Sequence, residues 1–300
     1  MFSHLPHSVL QVAAIFLSII IEALPFVLLG SLISGVIETY LTPDRVKHFL
    51  PKHKLLNIFL GTAVGFIFPS CECGIVPIIT RFLEKKVPSY TAVPFLVTAP
   101  IINPIVLFAT YSAFGNTWQY ALLRVFGAIL VATILGILLG FVVNDHILKH
   151  DSTTDQHEHH TASKNIGQNI FSALSHAVDE FFDTGRYLVF GSLITSLIQI
   201  YVPTRVLTGI GQTPLVAIII MMTLAFLLSL CSEADAFIGA SLVTSFGMAP
   251  TLAFLLFGPM VDIKNLLMMT KAFTWRFVGI FITTTSLTII AYCLLIGVIL

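Results

Sequence analysis

Charge is scarce in this chain of 300 residues: Asp, Glu, Lys and Arg together make up 10% of it, against 56% hydrophobic residues, and mean hydropathy is +0.95. A soluble domain carries roughly a quarter charged residues, so the water-soluble enzyme classes are excluded first. No basic excess exists either, since 15 Lys and Arg balance 15 Asp and Glu. Nucleic-acid binders concentrate positive charge, so no such partner is expected. Cysteine occurs only 4 times, too few for a disulfide scaffold in a chain this long. No G-x-x-x-x-G-K-[ST] loop is present to cradle ATP phosphates. The opening MFSHLPHS has no Lys or Arg, and no small-residue cleavage site stands out after it. The apolar stretch from Val9 to about Ile37 is therefore expected to be a retained first helix, not a signal peptide.

What fills the chain instead is apolar sequence. Segments at about 9–39, 89–113, 117–143, 170–200, 249–270 and 275–299 each exceed the roughly 20 residues that cross a hydrocarbon core of about 30 Å. Two more apolar regions, 55–87 and 214–247, are cut by polar runs containing cysteine, Pro69-Ser70-Cys71-Glu72-Cys73-Gly74 and Ser229-Leu230-Cys231-Ser232-Glu233-Ala234-Asp235. An arm of about 15 helical residues rises only about 22 Å, enough to reach the midplane and turn back. The expected fold is an all-α polytopic membrane protein, embedded in the lipid bilayer.

An internal repeat orders these segments. Glu22 through Gly30-Ser31-Leu32-Ile33 lines up with Asp183 through Gly191-Ser192-Leu193-Ile194, at an offset of 161. Pro43 and Arg45 fall on Pro203 and Arg205, Cys71 on Cys231, and Pro100 with Asn103 on Pro259 with Asp262. Composition alone explains scattered Leu and Ile matches, but not ordered Gly, Pro, Cys and acidic matches. The repeats are expected at 1–143 and 169–300, joined by a linker at 144–168. Each would hold three transmembrane helices plus one re-entrant or broken hairpin, eight transmembrane segments if the hairpins are counted.

Basic residues set the orientation. Loops 41–54 and 81–87 hold Arg45, Lys47, Lys52, Lys54, Arg81, Lys85 and Lys86, while their second-half counterparts hold only Arg205. Conversely, 111–119 holds none and its counterpart around 262–276 holds Lys264, Lys271 and Arg276. A bias that swaps sides between halves is what an inverted repeat produces under the positive-inside rule. Both termini then lie outside and the linker in the cytoplasm. The linker carries Asp145-His146, His150-Asp151 and His157-Glu158-His159-His160. His157, His159 and His160 could ligate Zn²⁺ weakly, although a polar tether must stay in water whatever it binds.

Backbone broken at membrane depth survives only where it lines protein or a water-filled site. The broken hairpins therefore mark the candidate site. Four polar segments are expected to meet there: Cys71-Glu72-Cys73-Gly74, Ala99-Pro100-Ile101-Ile102-Asn103-Pro104, Cys231-Ser232-Glu233-Ala234-Asp235 and Gly258-Pro259-Met260-Val261-Asp262. Gly74, Pro77, Pro100, Pro104 and Pro259 would set the unwound backbone. Glu72, Glu233, Asp235 and Asp262 supply intramembrane acids. Such groups are functional candidates by default, here for proton coupling, unless they only pair structurally with Arg124 or Lys264. Glu22 and its repeat partner Asp183 join Glu72, Glu233 and Asp235 as coupling candidates.

Cys71 and Cys73, two apart on a non-helical turn, can face one cavity, with Cys231 arriving from the opposing hairpin. Three thiols suit a soft centre such as trivalent arsenic or a late divalent metal, whereas buried cysteines also serve simply as small hydrophobes. Cys293, in an uninterrupted final helix, fits only the second role.

Phe68-Pro69-Ser70-Cys71-Glu72-Cys73-Gly74-Ile75-Val76-Pro77, followed by Pro94-Phe95-Leu96-Val97-Thr98-Ala99-Pro100-Ile101-Ile102-Asn103-Pro104, resembles the predicted-permease family that includes the trivalent organoarsenical efflux permeases. The resemblance covers nearly the whole chain. It implies export across the bacterial inner membrane, with Cys71 and Cys73 holding the substrate. Where this chain has Glu72, other members often have Ser.

Three functions stay open. One is a secondary permease exporting a soft, thiol-seeking substrate by alternating access. The second is a divalent-metal permease for an ion such as Zn²⁺. The third is an intramembrane thiol redox enzyme using Cys71 and Cys73. No cofactor is implied, and a companion membrane subunit is left open.

Overall fold

The computed structural model of the chain describes residues 7–43, 46, 50–51, 53–68, 71–142, 147–149, 166–201 and 213–299. His157, His159 and His160 lie outside the described residues, as do Arg45 and Arg205. Twelve named helices account for the described fold. They are α1 (His7–Tyr40), α2 (Lys54–Ile67), α3 (Glu72–Glu84), α4 (Ser89–Ile102), α5 (Pro104–Ala113), α6 (Trp118–Phe141), α7 (Ile166–Tyr201), α8 (Pro214–Leu228), α9 (Ser232–Phe246), α10 (Met248–Met260), α11 (Ile263–Ala272) and α12 (Trp275–Ile299).

The same six-helix order runs twice. Helices α1 to α6 begin at 7, 54, 72, 89, 104 and 118, and α7 to α12 begin at 166, 214, 232, 248, 263 and 275. In each half three helices form a bundle: α2, α4 and α6 in the first, α8, α10 and α12 in the second. The bundles meet where α6 packs on α12 and α4 on α10, and α1 lies lengthwise against α7. The shared core includes Ile75, Ile101, Leu135, Leu256, Phe277 and Phe281. Large apolar side chains also cover the outside: Phe59, Ile67, Phe171 and Val298 are at least two-thirds exposed. A surface of that kind is stable against lipid, where helices satisfy their own backbone groups.

Five helical stretches are long and apolar enough to cross a membrane: Ser8–Tyr40, Ser89–Ala113, Trp118–Phe141, Met248–Ala272 and Trp275–Ile299. The sequence suggests a sixth at 170–200. That segment does form a helix, α7, but Asp179, Glu180, Asp183 and Arg186 interrupt its apolar character and it does not qualify by composition. Helices α2 and α8, of 14 and 15 residues, are the short arms expected of interrupted hairpins.

Of the residues expected to set the unwound backbone, Pro104 stands at a break and the others lie inside helices. Gly74 and Pro77 lie inside α3, Pro100 inside α4 and Pro259 inside α10. The chain leaves helical geometry at Cys71, Asn103, Ser229, Cys231 and Asp262 instead. Asn103 precedes Pro104, which disfavours the α conformation at the residue before it. Its side chain then accepts a hydrogen bond from the Val106 amide and starts α5 afresh. Asp262 does the same for α11 through the Asn265 amide at 2.5 Å.

Helix α1 crosses α3 at bare backbone. A Cβ on Gly30 would come within 2.9 Å of the Gly74 Cα. Gly30→Val is therefore expected to lower stability by about 1–3 kcal/mol, the usual cost of overpacking. Gly185→Ala, with nothing within 4 Å of its Cβ, should leave thermal unfolding in detergent unchanged.

Candidate functional site

Cys71 and Cys231 stand at the N-caps of α3 and α9, and Asn103 and Asp262 at those of α5 and α11. Bonds join the starts of α3, α9 and α11 into one buried centre, and Arg124 links that centre to α5 at Thr110. Ser232, the first residue of α9, donates its hydroxyl to Glu72 Oε2 at 3.4 Å. Lys264 Nζ lies 3.9 Å from Glu72 Oε1 and 3.7 Å from Asp262 Oδ2. Ser229 Oγ donates to Asp262 Oδ2 at 2.8 Å. Arg124, reaching in from α6, donates to Thr110 Oγ1 of α5 at 3.0 Å and from both terminal nitrogens to the Ser232 carbonyl at 3.3 Å.

Glu72, Asp235, Asp262, Lys264 and Arg124 are all buried, with Arg124 and Asp262 fully so. Charges removed from solvent persist only when opposite charges and dipoles compensate them. Three compensations operate here. The ammonium of Lys264 sits between two carboxylates. The guanidinium of Arg124 feels Asp235 first, then Glu233 and Glu72. The helix starts add partial positive charge beside Glu72, Glu233 and Asp235, which occupy the first turns of α3 and α9.

The residues singled out in the sequence divide on this geometry. Glu72, Asp235 and Asp262 are buried together with Asn103, Gly74 and Pro100. Glu233 is only partly buried. Glu22, exposed on α1, accepts a hydrogen bond from Cys231 Sγ at 2.6 Å. Asp183 lies apart, near the Lys271 ammonium at 3.7 Å and bonded to Arg186. Cys71 and Cys73 are buried free thiols on either side of Glu72. Cys231 is thus engaged with Glu22, and Cys293 is buried in α12. Among the described residues, no group of three or more His, Cys, Asp and Glu side chains is arranged to hold a metal ion.

Several participants were not singled out as site residues. Lys264 and Arg124 figured only as pairing partners, yet each ties segments of the two halves together. Their signal was available, because a cation inside an apolar run is costly and needs a reason. Gly258 is a second case: a Cβ there would meet Asp235 Oδ2 at 2.7 Å, so the glycine makes room for that carboxylate. Nothing in sequence spacing pairs positions 235 and 258.

A cavity of about 210 Å³ opens on the same helices, farther along α3 and α11. Val76, Pro77, Tyr187 and Met268 give it apolar walls, and Arg81, Glu84, Glu180, Asp183 and Lys271 give it a charged rim. Arg81 bonds Glu180 of α7 at 2.9 Å and Glu84 at 2.8 Å. Lys271 of α11 lies 3.5 Å from the same Glu180, and Lys85 pairs with Glu38 of α1 at 2.8 Å. The ends of α1, α3 and α11 thus meet at one face, at α7. Residues 147–149 join them there, since Lys149 donates its amide to Ala272 O and Thr274 to Ile147 O, both at 2.9 Å.

An all-helical body with an apolar exterior, holding a charged centre made where helices restart inside it, defines a multi-pass membrane protein of the permease class. The chain belongs to the predicted permease family of ArsP type, whose family model matches residues 8–298. It is 68% identical over 297 residues to a Streptococcus mutans protein named, provisionally, as a two-component membrane permease complex subunit, covering 99% of this chain and 98% of that one. It is 46% identical over 290 residues to the UPF0718 protein YcgR of Bacillus subtilis, covering 96% and 98%. No solved structure matches the chain. The protein is accordingly a membrane permease and not an enzyme, which sets aside the thiol redox alternative.

Lys264 serves two carboxylates at once. Lys264→Met should cost about 3–5 kcal/mol, the usual penalty for stranding buried charge. Adding Glu72→Gln to that variant should recover part of the loss, as read by thermal unfolding in detergent.

Proposed function

We propose that the chain is a secondary permease exporting a small, soft, thiol-seeking solute, of which a trivalent organoarsenical is the leading example, across a bacterial inner membrane. The observation that carries this proposal is the pair of buried free thiols Cys71 and Cys73 at the start of α3, flanking Glu72, which pairs with Lys264. Polarizable sulfur favours soft centres over hard ions. A divalent-metal cargo has less support, because the described residues offer no third ligand to that pair.

In this proposal residues 1–143 and 169–300 are inverted repeats, with 144–168 a cytoplasmic linker and both termini outside. Support comes from the face where Arg81, Lys85 and Lys271 meet. The end of α3 and the end of α11 occupy the same face, although α11 corresponds by position to α5 and not to α3. If α4 and α5 together make one crossing, the two halves enter the membrane with opposite sense, and the basic face is cytoplasmic. The cavity beside α3, α7 and α11 is then the cytoplasmic approach to the centre. Coupling falls to Glu72 and Asp235, the carboxyl candidates buried beside the cations, ahead of Glu233, Glu22 and Asp183. A companion subunit, suggested by the name of the Streptococcus mutans relative, would complete the complex in the cell.

The direct test is uptake of methylated As(III) and of Zn²⁺ into inverted vesicles. Uptake of methylated As(III) should fall at least about tenfold in Cys71→Ser and in Cys73→Ser, since each removes one of two sulfur bonds. Native vesicles that take up neither cargo would defeat the soft-solute assignment, and full activity in both variants would move the site elsewhere. For coupling, Glu72→Gln and Asp235→Asn should each flatten the pH dependence of transport. An unchanged profile in both would remove the acids from that role.

A further inference from the structure

The two long helices do not occupy equivalent surfaces in the two halves. Helix α1 packs on α3, whereas α7 packs on α11 and makes no comparable contact with α9 among the described residues. Gly30 lies on Gly74 of α3, so close that a Cβ on Gly74 would fall 2.6 Å from the Phe26 carbonyl oxygen. The repeat partners of Gly30 and Gly74 are Gly191 and Ala234. These are equally small, yet Gly191 rests instead on α11, where its Cβ would fall 3.1 Å from the Lys264 Cα. The repeat partner of Lys264 is Ile105 on α5, which is 53% exposed. Both helices therefore crowd the side formed by α3 and α11. The corresponding side, formed by α9 and α5, is left uncovered: Phe237 on α9 is 56% exposed, while its repeat partner Pro77 is buried.

From this imbalance we infer a second packing of the same chain, in which α1 and α7 exchange roles and both move to the side formed by α5 and α9, Gly191 seating on Ala234 and Gly30 on Ile105. The inference rests on the inverted repeat proposed above. Two halves of matching order and opposite sense can adopt each other's contacts, and the change opens a central site to the other face. The small residues required for the new crossing are already in place at 191 and 234. The exchange also has a chemical consequence at the thiols. Glu22 now holds Cys231. In the second packing its repeat partner, Asp183, comes beside Cys71, the repeat partner of Cys231, and competes with cargo for that sulfur.

The charges determine which packing is held. Arg81 and Lys271 clamp Glu180 of α7, and Lys85 clamps Glu38 of α1, all on the covered side. At the positions related by the repeat, Arg81, Lys85 and Lys271 correspond to Ser241, Ser245 and Ser112. The exchanged packing has no equivalent clamp, so neutralising the present one shifts the population toward it.

The four native cysteines are buried, so spin labels can be directed to Phe190→Cys on α7 and Phe237→Cys on α9, both more than half exposed. Distances between them are measured by electron spin resonance on the full chain in proteoliposomes. Two populations are expected, the shorter one from the exchanged packing. Adding Arg81→Gln with Lys271→Gln should raise the ratio of shorter to longer by about fivefold or more, the effect of one or two kcal/mol lost with several modest ion pairs. Adding Ala234→Leu, at a partly open position, should abolish the shorter population without lowering thermal stability. A single distance unmoved by either change overturns the exchange. Binding of methylated As(III) is measured on the same samples. Binding with one invariant distance refutes the exchange and leaves the cargo proposal standing, and two populations without binding do the reverse.

Discussion

A helix interrupted inside a membrane must have its freed backbone groups and its charges satisfied by protein, and the rest of this structure follows from how that is done. The carbonyl of Ser232, at the break between α8 and α9, accepts from Arg124 of the opposite half. The amides that open α5 and α11 are met by the side chains of Asn103 and Asp262. Unpaired, each of those amides would cost several kcal/mol in hydrocarbon. With the caps in place, Glu72, Ser232, Asp262 and Lys264 hold the starts of α3, α9 and α11 in one buried place.

Neither half could build that place alone. The first contributes Cys71, Glu72, Cys73 and Arg124, and the second contributes Ser229, Ser232, Asp235, Asp262 and Lys264. The important pairs run between them: Lys264 with Glu72, Ser232 with Glu72, and Arg124 with Ser232. Near-matched helix order with mismatched chemistry produces this. Repeat-related positions hold different residues, Glu72 against Ser232 and Asn103 against Asp262, so the Glu72 carboxylate meets a hydroxyl and a cation of the other half. Charges at the ends of the helices do different work. Glu38, Arg81 and Lys271 are partly solvated around the buried Glu180, and as a connected set they bind α1, α3, α7 and α11 at one face.

The breaks show where local signals mislead. Proline marks disrupted helix in water, yet Pro77, Pro100 and Pro259 are absorbed within helices here, because neighbouring helices and low polarity around them favour keeping the remaining backbone bonds. At two of the breaks the chain restarts at a side chain that caps, Asn103 and Asp262, whereas Cys71 and Cys231 start α3 and α9 without a side-chain cap. Helix α7 misleads in the other direction. Its segment has the length of a crossing, but its acids serve the cations at the ends of α3 and α11.

Much was legible in the order of residues alone: the all-helical membrane class, the two polar interruptions and the positions of most helices. All of these depend on composition and local period, which lipid imposes on any segment regardless of its neighbours. The tertiary structure alone decided that Lys264 lies between Glu72 and Asp262, that Cys231 turns to Glu22, that Gly258 makes room for Asp235, and that α1 and α7 take unlike surfaces. Those are contacts between positions tens to hundreds of residues apart. They are selected by which packing buries opposite charges together, and no local pattern in the chain encodes that choice.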